Sequence, residues 1–172
     1  MAGDGQNVVV VTDTSVLVNF LCIDRMDLIA RHSHRFLITE HVMEEITDHY
    51  PEQQARLKVA LEDGTLEVVS VSGDAALNLF QTLSDTSRLG AGESAAIACA
   101  IANNHAIAID DRAAVAQARQ LKPDLVILGS QDIVVHLIRS GEIDVTEADE
   151  LKGKWANHHR FRLAFASFGE ML

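Results

Sequence analysis

Val8-Val9-Val10-Val11-Thr12-Asp13-Thr14-Ser15, with Val16 to Leu21 behind it, is the stretch that decides the fold. Four consecutive β-branched residues without polar alternation predict a strand buried on both faces, as in a parallel sheet. The run stops at a polar tetrad. Beyond it the apolar residues recur at helical spacing through Leu21 and again from Met26 to Ala30, with Thr14, Ser15 and Asp24 available as caps. A buried strand that turns at once into a helix is the opening of a βαβ arrangement.

The alternation continues outward. Phe36 to Thr39 predicts a second strand, and Glu40 to His49 a helix with Val42, Glu45 and Ile46 on one side. Pro51 starts a helical stretch through Leu61, and Asp63-Gly64 turns the chain into Leu66 to Val71, read as an edge strand or hairpin arm. Helical spacing returns from Asp74 to Thr82. Gly90-Ala91-Gly92-Glu93 then opens a helix to Asn103 whose residues 95–101 are all apolar, so it should be buried, with small side chains that permit close approach to the sheet. Ala106 to Ile109 reads as a strand closed by Asp110-Asp111, Arg112 to Leu121 as a helix, Val126 to Leu128 as a strand, and Ile133 to Arg139 as a helix after the Gly129-Ser130 turn. Right-handed crossovers then give a three-layer α/β/α sandwich with a central, mostly parallel sheet. Residues 1–145 form this domain. Residues 146–172, polar and then basic-aromatic, form an extension packed on it or projecting from it.

A chain of 172 residues is long enough for one well-buried core, and 48% hydrophobic content with 5% aromatic requires an interior of Ala, Val, Ile and Leu. No apolar run approaches the roughly 20 residues that cross a bilayer, and the opening MAGDGQN lacks the basic start of a secretory signal, so a cytoplasmic protein without a membrane partner is expected. Cys22 and Cys99 read as buried free thiols. His32-x-His34 and His158-His159 have no matching zinc-spaced pair and read as scattered surface histidines. There is no GxxxxGK[ST] phosphate loop and no GxSxG elbow, and Gly90-x-Gly92 lacks the rest of a dinucleotide fingerprint. The net charge of -11 argues against a surface that grips nucleic acid throughout; a phosphate ligand would need a local cation to offset the repulsion.

In open parallel sheets, ligands sit beyond the carboxyl ends of the strands. Asp13 and the Asp110-Asp111 pair both fall there, and the helix-borne Glu45 and Glu93 complete a candidate cluster. Each acid also has a plainer role. Asp13 can cap a helix, although Thr14 and Ser15 offer alternatives that leave the acid free. Glu93 in a first turn is favoured by the helix dipole, Glu45 beside Glu44 can be simply solvated, and Asp111 can be an N-cap. Oxygen-only ligands of this kind suit Mg²⁺ or Mn²⁺ better than zinc.

The segments VVVVTDTSVLV, ITEHVMEEI, LGAGESAAIACA and AIAIDDRAAVAQA, in this order over residues 8–140, resemble the PIN-domain nucleases, in particular the VapC-like toxins and related prokaryotic PIN proteins. The resemblance implies a metal-dependent endoribonuclease, a hydrolase of phosphodiester bonds, with Asp13, Glu45, Glu93 and either Asp111 or Asp110 as the acids. It also implies a site hydroxyl from Thr14 or Ser15, an RNA substrate, an antitoxin partner and a homodimer, for which apolar residues near Leu17 and Leu28 offer a surface. The sequence departs from the commoner pattern in two places: the third acid is Glu, not Asp, and Ile109 replaces a threonine before the final pair. That departure keeps open a PIN-fold module that binds RNA or protein without cutting. Arg112, Lys152, Lys154 and Arg160 are the candidate RNA contacts. Trp155 and Phe161 either stack on bases or pack a C-terminal helix onto the domain, the packing being expected.

Overall fold

The structure, a computed structural model, describes residues 8–172. Its elements are β1 (Val9–Thr12), α1 (Thr14–Cys22), α2 (Met26–Arg31), β2 (Arg35–Thr39), α3 (Glu40–His49), α4 (Gln54–Glu62), β3 (Leu66–Val69), α5 (Asp74–Thr86), α6 (Ala91–Ala102), β4 (Ala106–Ala108), α7 (Arg112–Leu121), β5 (Ile127–Leu128), α8 (Ser130–Arg139) and α9 (Val145–His158). The five strands form one sheet in the order β3-β2-β1-β4-β5, every pairing parallel. The valine run thus lies at the centre, with Val10 opposite Phe36 on one side and Ala106 on the other.

The two faces of the sheet divide the core by the period-two alternation of strands. Val10, Phe36, Ile38, Ala106 and Ala108 join an apolar cluster with α1, α8 and α9, while Val11 and Ile107 join another with α6 and α7. Burial on both sides explains why β1 shows no polar alternation. In α6, Ala95 to Ala100 are each at most 3% exposed, as its uniformly apolar composition requires.

Leu66–Val69 is an edge strand but not a hairpin arm: it pairs parallel to β2 from Phe36↔Leu66 to Thr39↔Val69, because α3 and α4 carry the chain back before it. Helix α5 runs one turn past the predicted end at Thr82, and that turn includes the buried Leu83. Leu17 and Leu28 offer no dimer surface, since both are at most 1% exposed within the inner cluster; α1 is apolar nearly all round and is enclosed by this chain itself. At the other end, Ala148, Leu151 and Trp155 of α9 lie in the same cluster as α1. Trp155 is fully buried, edge-on to Phe20 and Phe161, with its Nε1 donating to the Asn19 carbonyl at 2.7 Å. Its ring is therefore not available for stacking on bases. Cys99 is buried and Cys22 partly so, both as free thiols.

Candidate metal centre

Asp13 sits where β1 turns into α1. Its backbone is extended, with φ −80° and ψ 158°, which is the geometry of an N-cap. Thr14 and Ser15 already lie inside the helix, so neither replaces it as cap: Asp13 Oδ2 accepts from the Ser15 N–H at 3.0 Å and from the Ser15 hydroxyl at 2.6 Å. The cap uses one oxygen only. Oδ1 is buried without any hydrogen-bond partner, although the residue is 1% exposed. Burial pushes the carboxyl pKa up, the Ser15 bonds pull it down, and the charge of Glu45 pushes it up again. The Asp13 N–H donates to the Ala108 carbonyl at 2.8 Å, which fastens the end of β1 to β4.

Glu45, on α3, reaches α6 at its tightest point: a Cβ on Gly92 would overlap Glu45 Oε2 and lie 3.6 Å from Thr14 Oγ1. Only glycine leaves room for that carboxylate. Glu93 follows, half-buried, with Oε2 accepting from the Gly90 N–H at 3.0 Å as a cap of α6. Burial raises its pKa, the Gly90 bond lowers it, and the charges of Asp13, Asp111 and Glu45 raise it further. Asp111 is the exposed N-cap of α7, its Oδ1 accepting from the Ala114 N–H at 2.9 Å. The strand ends and helix starts place Asp13, Glu45 and Asp111 near enough to Glu93 for their charges to act on it, although among the described residues no three of these acids bring ligand atoms within 4.8 Å of one another.

Asp110 is engaged differently. Oδ1 accepts from the Ser130 N–H at 3.0 Å, and Oδ2 accepts from the Ser130 hydroxyl at 2.6 Å and the Asn19 amide at 2.9 Å. Burial raises its pKa, and the acid whose charge adds to that is Asp132, not one of the four. Asp110 thus clamps α1 to the start of α8. Ser15 Oγ links the two layers, since it accepts from the Asp110 N–H at 3.0 Å while donating to Asp13.

The donor set fits a divalent cation. Among the described residues, none of these five acids is in a salt bridge, and the buried Asp13 Oδ1, Thr14 Oγ1 and Ser94 Oγ lack partners. Unpaired acids packed together are unfavourable unless protonated or neutralised by a cation. Asn19 and Ser94 escaped the sequence reading, and Gly92 and Ser130 were read only as helix-opening and turn residues. The signal for Asn19 and Ser94 was a polar residue inside an apolar helix, as in Val16 to Leu21 and in residues 92–101.

Of the candidate RNA contacts, Arg112, Lys154 and Arg160 are exposed, Arg112 directly beside Asp111. Lys152 is half-buried with Nζ 5.9 Å from the Phe165 ring centre. His32 and His34 are not scattered surface histidines as expected: the fold brings His136 of α8 against them, and His32 is only 7% exposed; His158 is exposed, as expected.

Among solved structures, the fold is similar to a PilT N-terminus domain protein from the hyperthermophilic archaeon Sulfolobus solfataricus, with TM-score 0.51, 14% identity, and coverage of 74% of this chain and 91% of that one. It is also similar to VapBC2 from Rickettsia felis bound to a DNA fragment from their promoter, with TM-score 0.50, 14% identity, and coverage of 71% and 98%. No curated protein matches the sequence. The family model DUF3368, a PIN domain, matches residues 9–168, nearly the whole chain. The chain belongs to the PIN-domain family.

Proposed function

We propose that this protein is an endoribonuclease that hydrolyses RNA phosphodiester bonds with Mg²⁺ or Mn²⁺ held by Asp13, Glu45, Glu93 and Asp111. The observation that carries this reading is Asp13, a buried carboxylate at the end of the central strand, with one oxygen fixed by Ser15 and the other buried without a partner, close enough to Glu45 for its charge to act. A divalent cation, when bound, lowers the pKa of a water and offsets charge on the phosphate oxygens. The protein's own contribution is placement. Asp13 is held by its cap, Glu45 by the gap over Gly92, Glu93 and Asp111 by the helix starts they cap, and Asp110 works from behind through Ser130 and Asn19. Thr14 Oγ1, buried beside Glu45, supplies a hydroxyl to the same space. Arg112 is the nearest candidate in sequence for a phosphate contact.

The Rickettsia felis neighbour is a VapBC assembly, and by that likeness we extend the reading to a cytoplasmic toxin with an antitoxin partner, acting as a homodimer. No helix among the described residues is long and apolar enough to cross a membrane. The test is a gel assay on structured RNA with Mg²⁺ or Mn²⁺. Wild type should cleave, and the Asp13→Asn, Glu93→Gln double variant should not; equal cleavage by both would mean contamination and would defeat the proposal.

A second reading has its own observation. Glu93 and Asp111 each spend one oxygen on a helix cap, which suits a PIN-fold module that binds RNA or protein without cutting. Retarded RNA migration by wild type with no cleavage in either metal would favour it.

A further inference from the structure

We propose that His32, His34 and His136 form a second metal site, distinct from the carboxylate cluster, for one imidazole-preferring transition ion of the zinc class. Three elements converge to make it. His32 leaves α2 with φ −68° and ψ 145°, and this extended backbone sends His32 and His34, two residues apart, to the same side before β2 begins. His136 meets them from α8, one helical turn beyond Asp132. One ring nitrogen from each histidine lies within 4.8 Å of the others, and the ring centres are 4.1 to 5.0 Å apart.

The independent sign of a ligand is His32 itself. The residue is 7% exposed, and its Nε2 is buried with no hydrogen-bond partner. Its Nδ1 accepts from the His34 N–H at 3.1 Å, so the proton of the neutral ring sits on Nε2 with nothing to receive it. Coordination at Nε2 puts the ring proton on Nδ1, which can then no longer accept from the His34 N–H and must turn away from it, so the metal bond replaces that one neutral hydrogen bond. His136 is already oriented: its Nε2 lies 2.8 Å from the Ser33 hydroxyl, and in the tautomer where Nε2–H donates to that oxygen the lone pair of Nδ1 is free for a metal. Burial, and then the neighbouring rings, hold the His32 pKa down to about 3 and lower that of His34, so both rings present the neutral form that binds metal.

Tetrahedral zinc with bonds near 2.0–2.1 Å sets its ligand nitrogens roughly 3.4 Å apart. The half-buried His34 and His136 must therefore close in on His32 by about an ångström, a shift within reach of side-chain rotation. Asp132 borders the same hollow and caps α8 with Oδ2, accepting from the Gly129 N–H at 2.7 Å; it lies outside the three-histidine group, so a water takes the fourth position. Three neutral nitrogens select Zn²⁺, Co²⁺ or Ni²⁺ over Mg²⁺, the reverse of the acid cluster.

The test uses the full chain stripped with chelator and titrated with Co²⁺ as the probe. One equivalent should give the visible absorption of a nitrogen-ligated four-coordinate ion, displaced by Zn²⁺ and not by Mg²⁺. The Asp13→Asn, Glu93→Gln variant should keep the band, and the His34→Ala, His136→Ala variant, which lacks two of the three ligands, should lose it. No band in wild type, a band that survives the histidine changes, or one lost with the carboxylates would overturn the site; the last outcome would assign the ion to the acid cluster. Should the histidine variant fail to fold, the ring-nitrogen resonances of the wild type decide: Zn²⁺ must shift those of all three histidines, and unshifted resonances mean the rings are only packed together.

Discussion

The Ser15 hydroxyl donates to Asp13 Oδ2 at 2.6 Å, and it fixes one oxygen of a carboxylate whose other oxygen, buried and unpartnered, is left for a cation. Capping and the proposed metal binding would thus use different atoms of one residue. Asparagine caps helices about as well as aspartate, so Asp13→Asn should fold, and in chelator it should melt a few degrees higher because a buried charge is gone. It should also lose the rise in melting temperature that Mg²⁺ or Mn²⁺ gives the wild type. A wild-type rise in the variant would remove Asp13 from the site.

The pH dependence follows with a definite sign. Burial raises the pKa of Asp13, Glu93 and Asp110 above their unfolded values, so the metal-free folded chain binds more protons than the unfolded one. Stability from these groups is fully present below about pH 4 and is lost as pH rises through the raised values. In chelator, the difference in melting temperature between Asp13→Asn and wild type should widen from pH 4 to pH 7. A constant difference across that range would show that Asp13 does not titrate upward.

Gly92 separates function from stability. Alanine there would gain up to about 1 kcal/mol of helix propensity, while its Cβ would occupy the space of Glu45 Oε2, the movable end of a side chain. Gly92→Ala should therefore be as stable as wild type or more so, yet cleave RNA at least tenfold more slowly. Unchanged cleavage would mean that the position of Glu45 is not used.

Much of this arrangement was legible in the sequence because the strands are buried on both faces and so read as plain apolar runs. The valine run, residues 36–39 and residues 106–108 all lie in parallel strands, and because β1 and β4 are neighbours Asp13 and the Asp110-Asp111 pair come to the same rim of the sheet. What the sequence left open depends on through-space pairing. Nothing local distinguishes Asp110 from Asp111; the donors that separate them, Asn19 and Ser130, lie 91 and 20 residues away from Asp110. His136 likewise gives no sign, in its own neighbourhood, of His32. Leu17 and Leu28 looked free to form a surface only because the helices enclosing them are distant in the chain.

The Asp110-Asp111 pair yields a double dissociation. Both Asp110 oxygens accept hydrogen bonds from three donors, and an amide in its place turns an N–H group toward one of them. Asp110→Asn should cost about 1–3 kcal/mol in urea unfolding. Asp111→Asn keeps its cap and should leave stability unchanged while cleavage is lost. The opposite pattern would exchange the roles of the two residues.

Trp155 extends this dependence to the end of the chain. Its indole donates to the Asn19 carbonyl while the Asn19 amide holds Asp110 and Ser130, so α9 supports the residue that clamps α1 to the start of α8 behind the proposed metal centre. Trp155→Phe keeps an aromatic ring in the pocket but removes the donor, and should cost about 1–3 kcal/mol. Trp155→Ala, which also opens a cavity, should cost about 3–5 kcal/mol. Because support of this kind acts through folding, cleavage per folded molecule should be unchanged in Trp155→Phe at a temperature where the variant is fully native. Loss of cleavage in Trp155→Phe where it is fully native would overturn this, and would mean that the indole positions the carboxylates through Asn19 and Asp110.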